Sequence, residues 1–479
     1  MERYKPILRT ILLLFFGLVA SSLQPSNGLA GSASVILPLG AGMSPPLTPQ
    51  SGEPPAGEHT SPGTLGNGPS SGASLYWIAG SPYPKIAFSS LASDLTAQDL
   101  NNTSDVFIWN VESGAVDLVS HDLQNATANG ASSAVSASDT DKVAFNSLSS
   151  NLPIMGSQNP VDVFNDIFFV DGMLQSYSWY TSGNGGGGAN GSSFNPTFSR
   201  GGDWMSFTTL ATNLSNGAQS GLNIMGPNGV TTAITSFATQ GESMPASNGD
   251  TVFTALGAQV GCSTSLTVLQ VAIFRMALNT VEVLSRDATG SCGNANSKNP
   301  FISDSGRFIG FESLATNLTS DPITPGLSNI YLRDMQQPPV VLISKGRNLT
   351  AADGSSKNGA ITPEGNIITF VSNASNLTNV EGNGFYQLYA KSRLSQAITI
   401  MQMEGGGLPD GNITAYRNYV RATKGPQGFG TMTLHAAIGT SAPSFPNSNG
   451  EQQIYYVAFP APFNIKISTA GVKKPVWNQ

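Results

Sequence analysis

The chain has 479 residues, with 22 Lys and Arg against 29 Asp and Glu, and only 11% of its residues are charged. Such low charge, together with 53 Gly and 30 Pro, excludes a coiled coil or helical bundle, which would be rich in Glu, Lys and Leu. A net charge of −7 offers no means of neutralising phosphates, so nucleic acid is excluded as a partner.

The first thirty residues have the organisation of a secretory signal peptide. Three basic residues precede the apolar run 11–20, and small residues lead to a cleavage site after Ala30. The run is about half the length needed to span a bilayer, although an uncleaved anchor is the alternative. We therefore predict an exported, periplasmic or secreted protein with no transmembrane segment once residues 1–30 are removed.

Residues 31–73 have the composition of a flexible linker. Gly, Ser and Pro make up 24 of these 43 residues, and the segment contains no aromatic residue. Such a segment cannot bury enough apolar surface to offset the entropy lost on ordering. We predict a disordered tether over 31–73, followed by one folded domain over 74–479.

Two phrases recur through the folded part of the chain. The first occurs as IAFSSLASDL, VAFNSLSSNL, MSFTTLATNL, IGFESLATNL and ITFVSNASNL, at 86–95, 143–152, 205–214, 309–318 and 368–377. The second, exemplified by DVFIW at 105–109, occurs seven times between residues 105 and 457 at a mean spacing of 58 residues. This period predicts seven units, although six good units and an irregular part remain the alternative.

Each unit is predicted to contain four strands, which we name A to D in chain order. Large and small side chains alternate in the recurring phrases, as in Ile86-Ala87-Phe88, and this period of two indicates β-strands. Small alternate residues indicate a sheet that is covered on both faces. Seven such units predict an all-β, seven-bladed β-propeller of four-stranded antiparallel blades. With 463–468 as strand D of the last unit, the ring would close without a shared blade.

The unit resembles the TolB-like propeller repeat of exported bacterial proteins. In that family a VAFSSxASNL strand precedes an Asp/Asn loop, a DVFxxD strand and an NG-rich turn, as at 86–95, 99–110 and 129–136 here. The resemblance implies the propeller fold, but residues 31–73 cannot supply the N-terminal α/β domain of TolB. Propellers of prolyl-oligopeptidase-type enzymes are also similar, but the G-x-S-x-G match at 68–72 lies in the predicted tether and is interpreted as chance.

The two cysteines are predicted to form a disulfide. Cys262 falls in the B–C loop of unit four, and Cys292 falls in the D–A loop between units four and five. Both kinds of loop emerge on the same face of a propeller, and an exported chain with only two cysteines favours their pairing.

One loop carries candidate metal ligands. The segment 98–105 brings Asp99, Asn102 and Asp105 together, and oxygen ligands in a short turn are suited to Ca²⁺. The alternative is that these residues make Asx turns and cap a strand. The corresponding loops of units two and five match this set of ligands less well. No other cofactor is predicted.

No catalytic constellation stands out in the sequence. The turns 199–204 and 303–308 resemble the Asp box of sialidases with incorrect spacing, and the three His lack metal-ligand partners at i+2 or i+4. Five aromatic residues are candidates either for stacking on sugars or for packing between blades: Trp77, Trp109, Trp179, Tyr180 and Tyr416.

We therefore predict a monomeric, exported binding or scaffold propeller that captures a protein or carbohydrate partner outside the cytoplasm. The predicted surface is the face bearing the B–C and D–A loops, including 153–165, 183–195, 257–270 and 319–328. The alternative is a polysaccharide hydrolase or lyase with acids at the channel mouth, and a third option is a structural surface-layer protein.

Overall fold

The computed structural model describes a strand at residues 35–38 and most of the chain from residue 66 to residue 460. Within that range it leaves out 155–162, 173–175, 235–242, 263–266, 338, 347, 403–406, 417–419, 425–431 and 446–449. The predicted signal peptide, the rest of the tether before residue 66 and the predicted strand 463–468 lie outside the described residues. No helix in the described part is long and apolar enough to cross a membrane.

The fold is the predicted seven-bladed β-propeller. Six blades are four-stranded antiparallel sheets built from consecutive strands. Their inner strands A are Ser70–Tyr76, Ser132–Ala137, Ser193–Phe198, Met244–Pro245, Ser297–Ile302 and Ser356–Ile361. Their strands B are Lys85–Ser90, Lys142–Ser147, Met205–Thr209, Thr251–Leu256, Phe308–Ser313 and Ile367–Ser372.

The two outer strands of these blades follow in the same order. Strands C are Asp105–Asn110, Asp166–Asp171, Gly221–Met225, Leu269–Arg275, Asn329–Asp334 and Gln387–Ser392. Strands D are Val116–Leu118, Ser176–Trp179, Thr231–Ile234, Thr280–Val283, Val341–Leu342 and Ile398–Ile400. The helices of the described chain are two short 3₁₀ turns, Asn184–Gly186 and Gly257–Val260.

The seventh blade combines both ends of the domain. Its strand A consists of two pieces, its strands B and C are long, and an antiparallel strand from the N-terminal segment forms its outer edge. In that order the strands are Ile413–Ala415 with Arg421–Lys424, Met432–Thr440, Gln453–Pro460 and Val35–Pro38. The expectation of closure without a shared blade is therefore wrong.

The predicted tether is thus shorter than its composition suggests. Val35–Pro38 pairs with the last described strand, and the first strand of blade 1 begins at Ser70, inside the segment 31–73. Blade 1 also bonds directly to blade 7, because the Ser70 amide donates to the Gln452 carbonyl at 2.7 Å.

The apolar cores lie between blades. Tyr76 and Val106 of blade 1 share a buried cluster with Phe145 and Phe168 of blade 2. Equivalent clusters join each remaining pair of neighbours, including blade 7 with blade 1. A blade therefore depends on its neighbours to remove its apolar faces from water.

Small residues in strands A and B let bulky neighbours approach closely. Phe301 of blade 5 lies between Gly310 of its own blade and Gly359 of blade 6. A Cβ atom at Gly310 would lie 2.0 Å from the Phe301 ring, and one at Gly359 would lie 2.2 Å from it. The alternation of large and small residues predicted from the sequence thus has a packing cause at this site.

Candidate binding face and central channel

A repeated bond network fixes the loops on the face that bears the B–C and D–A connections. In blade 5 the amide of Asn294 donates to Oδ1 of Asn317 at 2.9 Å, and Nδ2 of Asn294 donates to Thr316 Oγ1 at 2.9 Å. Equivalent backbone bonds join Asn67 to Asp94, Asn129 to Asn151, Asn190 to Asn213 and Asp353 to Asn376. The Asn or Asp just before the last residue of the first recurring phrase therefore holds the entry loop of its own blade on this face.

A second network closes the outer hairpin on the same face. Ser120, at the end of strand D of blade 1, donates to Asp105 Oδ1 at 2.7 Å and accepts from the Val106 amide at 2.9 Å. The same arrangement joins Thr181 to Asp166, Ser285 to Gln270 and Ser344 to Asn329. These hydroxyls account for the Ser that ends the predicted strand D in several units.

The disulfide crosses this face as the sequence indicates. Cys262 follows the 3₁₀ turn after strand B of blade 4, and Cys292 precedes strand A of blade 5. Their Cα atoms are 6.0 Å apart, and the bond closes a loop of 30 residues. It covalently links neighbouring blades through the loops of the candidate face.

The central channel contains a cavity of about 260 Å³. All seven blades contribute residues from or next to their inner strands: Gly72, Ala134, Asn195, Met244, Asn299, Asn358 and Thr414 are examples. In five blades the inner strand has a bulge where it borders this cavity. The bulge contains a residue with left-handed backbone: Gly72, Ala134, Asn195, Asn299 or Asn358. A bulge leaves backbone groups outside the sheet ladder, so the channel wall presents polar groups to a ligand.

The charges on the inner strands have one sign. The described inner strands contain no Asp or Glu, and their charged residues are Lys298, Lys357, Arg421 and Lys424. Lys298 and Lys357 occupy the second position of neighbouring strands, close to the loop face, and Lys357 Nζ lies 3.7 Å from the Tyr386 ring centroid. In an acidic protein, the neighbouring lysines Lys298 and Lys357 form a basic corner that is suited to an anionic group.

One buried carboxylate lies behind these lysines. Glu312, on strand B of blade 5, is 2% exposed and accepts a hydrogen bond from Asn299 Nδ2 at 2.9 Å. Burial raises its pKa, and the hydrogen bonds together with Lys298 and Lys357 act in the opposite direction. Glu312 therefore fixes the left-handed Asn299 at the channel wall.

The predicted metal residues fall in one loop of the same face. Asp99 is 3% exposed, Asp105 is fully buried, and Asn102 is exposed with a left-handed φ of 53°. Burial raises the pKa of Asp105 to about 6, and the nearby Asp99 carboxylate adds to that rise. In blade 2, Asp166 occupies the position of Asp105, and in blade 5 Asp321 pairs with Lys345.

Four of the five aromatic candidates pack between strands and blades. Trp77, Trp109 and Trp179 are buried, and Tyr180 packs against Phe207, whereas Tyr416 lines the channel cavity. The first Asp-box-like turn places Trp204 against Gly249 of the next blade. Among the described residues no group of three or more His, Cys, Asp or Glu is arranged to hold a metal ion.

Sequence reasoning missed the basic corner of the channel. Its signal is the tripeptide Ser-Lys-Asn, which occurs at 297–299 and again at 356–358 at the start of two inner strands. The two copies place Lys298 beside Lys357 and the left-handed Asn299 beside Asn358 in neighbouring blades.

Comparison with solved structures finds several similarities at low sequence identity. A protein assigned as TolB from Agrobacterium tumefaciens is 13% identical, with a TM-score of 0.37 over 74% of this chain and 97% of that one. An oligogalacturonate lyase from Vibrio parahaemolyticus is 10% identical, with a TM-score of 0.39 over 81% and 98%. A prolyl endopeptidase is 11% identical, with a TM-score of 0.42 over 83% of this chain and 50% of that one.

No protein-family model and no curated protein matches the sequence. Similarities of this size say nothing about the activity of this chain.

Proposed function

We propose that this protein is an exported, TolB-like binding propeller that captures a partner on its loop-bearing face without carrying out covalent chemistry. The partner is a protein or carbohydrate of the periplasm or cell exterior that presents acidic groups to the channel mouth. The predicted signal peptide and the Cys262–Cys292 disulfide support export, because disulfides persist in oxidising compartments.

The observation that carries this proposal is the sign of the charges on the inner strands. The chain has more acids than bases, yet every charged residue on its described inner strands is basic. Loops held by repeated side-chain bonds surround the channel wall, so the surface is formed before a partner arrives. Preformed loops lower the entropy cost of binding.

The alternative, a polysaccharide hydrolase or lyase, needs a pair of acids at the channel mouth. The described inner strands supply none, and the neighbouring Glu312 is buried and bonded to Asn299. Product analysis after incubation with a panel of acidic and neutral glycans distinguishes the alternatives, and turnover that is lost in Glu312→Gln would overturn the binding proposal.

The binding proposal is tested by replacing Lys298 and Lys357, the two lysines at the second position of neighbouring inner strands, close to the loop face. The double variant Lys298→Gln, Lys357→Gln removes two charges while keeping side-chain length. We expect retention of the partner in a pull-down from the native cell envelope to fall about 10-fold. Capture by the unaltered protein should also weaken as salt rises, because exposed charges are screened.

The matched control is Glu364→Ala, an exposed residue in an A–B turn on the opposite face. It should leave both capture and thermal stability unchanged. Full capture by the double lysine variant, or an equal loss in Glu364→Ala, would remove the channel mouth as the binding surface.

A further inference from the structure

Four buried oxygen atoms in the B–C loop of blade 1 lack hydrogen-bond partners. They are Thr96 Oγ1, Asp99 Oδ1, Thr103 Oγ1 and Asp105 Oδ2, all within ten consecutive residues. Side-chain atoms of this kind are few in the described structure, and no other loop collects so many of them. A buried polar atom without a partner costs about 1–3 kcal/mol, so a cluster of four calls for a physical explanation.

The chemistry of these atoms is that of a hard-cation site. Two are carboxylate oxygens, which supply negative charge, and two are hydroxyl oxygens, which can ligate a cation or hydrogen-bond its waters. Asp99 and Asp105 are 3% and 0% exposed, so both carboxylates are largely removed from solvent. Two like charges buried near one another repel, and a divalent cation between them would offset that repulsion.

The loop backbone is shaped by other bonds, which leave these oxygens unused. Asn101 donates through Nδ2 to the Ala128 carbonyl at 2.8 Å and accepts the Thr103 amide at 2.9 Å. Asp105 directs its other oxygen, Oδ1, to Ser120 Oγ at 2.7 Å. These bonds hold the loop in place, and the four oxygens are buried in it without a hydrogen bond of their own.

We propose that residues 96–105 form a Ca²⁺ site, with Asp99 and Asp105 as the charged ligands and Thr96 and Thr103 as ligands or holders of bound water. Asn102, which is exposed, takes no part through its side chain and instead provides the left-handed turn. This inference is independent of the proposed partner binding. The ion would link the B–C loop to the outer hairpin of blade 1 through Asp105 and Ser120.

The test is calcium titration of the purified full-length protein after removal of divalent ions with a chelator. Isothermal titration calorimetry should show one Ca²⁺ per chain, with a Kd of about 0.1–1 mM, as in extracellular calcium modules. Saturating Ca²⁺ should also raise the Tm by about 2 °C. Asp99→Asn and Asp105→Asn should each weaken binding at least about 10-fold and abolish the Tm shift.

The matched control is Asp166→Asn, because Asp166 makes the same bond to a strand-D hydroxyl in blade 2. It should alter stability about as much as Asp105→Asn does in calcium-free buffer, yet keep the calcium titration of the unaltered protein. Absence of heat and of a Tm shift up to 10 mM Ca²⁺ (about tenfold above the expected Kd), or retention of binding in both loop variants, would overturn the proposal.

Discussion

At the scale of single residues, a buried hydroxyl closes the outer hairpin in four blades. Ser285 is fully buried, donates to Gln270 Oε1 at 2.6 Å and accepts from the Val271 amide at 3.0 Å. One hydroxyl thus satisfies both a side chain and a backbone donor at the point where strand C starts. Both the Gln270 side chain and the Val271 amide are buried, so neither can bond to water instead.

Ser285→Ala should lower the free energy of unfolding by about 1–3 kcal/mol, since it leaves a buried acceptor and a buried donor unpaired. Chemical denaturation followed by tryptophan fluorescence measures the change. Ser320→Ala, at an exposed position of the next blade, is the control and should stay within about 0.5 kcal/mol of the unaltered protein. Equal stabilities of the two variants would contradict this account of the bridge.

Gly310 tests close packing within and between blades. Gly310→Ala places a methyl group 2.0 Å from the ring of Phe301, which is itself held by Gly359 of the next blade. The ring has no room to move, so we expect a loss of about 1–3 kcal/mol. Gly187→Ala is the control, because Gly187 has a φ of −83° and nothing within 4 Å of the added carbon. Thermal unfolding of the two variants should separate them, and equal Tm values would contradict the packing argument.

At the scale of the element, strands B and C were predictable and strand A was less so. The phrase at 309–318 covers a strand at Phe308–Ser313, because alternating large and small residues are required between two covered faces. The inner strand Ser297–Ile302 contains a bulge with a left-handed Asn299, which breaks the period of two. A bulge adds a residue to one strand, so a pattern of strict alternation does not predict it.

The candidate site was predictable to a similar degree. The acidic loop and the disulfide could be placed on one face because topology assigns B–C and D–A loops to the same end of the blades. The exposure of Asn102 follows from its left-handed backbone, and the bond from Asn101 to the Ala128 carbonyl depends on the next blade's entry loop, so neither could be predicted from the loop sequence. The basic corner at Lys298 and Lys357 required knowledge of which strand lines the channel.

At the scale of the whole molecule, the ring is closed by residues far apart in sequence. The four residues Val35–Pro38 pair with 455–458 and form the outer edge of blade 7. Bonds from Gln453 Nε2 to the carbonyls of Gly66 and Gly68, at 3.1 and 3.2 Å, add a second link between the ends of the domain. Because the apolar cores lie between blades, loosening one blade exposes the faces of both neighbours.

Because Val35–Pro38 forms the outer edge of blade 7, we predict that it stabilises the fold although it lies in a segment with the composition of a linker. Replacing Val35–Pro38 with four Gly and Ser residues should lower the free energy of unfolding by about 2–4 kcal/mol, because Gly costs more entropy to order in a strand and the ladder to 455–458 would open. It should also promote aggregation, because Gln453–Pro460 would become an open edge strand. Thermal unfolding and light scattering measure the two effects.

The same replacement at residues 47–50 is the control and should change neither measurement, because a four-residue exchange elsewhere in the Gly, Ser and Pro-rich segment leaves the ladder intact. An unchanged Tm after replacement of Val35–Pro38 would mean that another segment completes blade 7. The sequence-predicted strand at 463–468 would then be the segment to replace next, since its position after strand C would give closure without a shared blade.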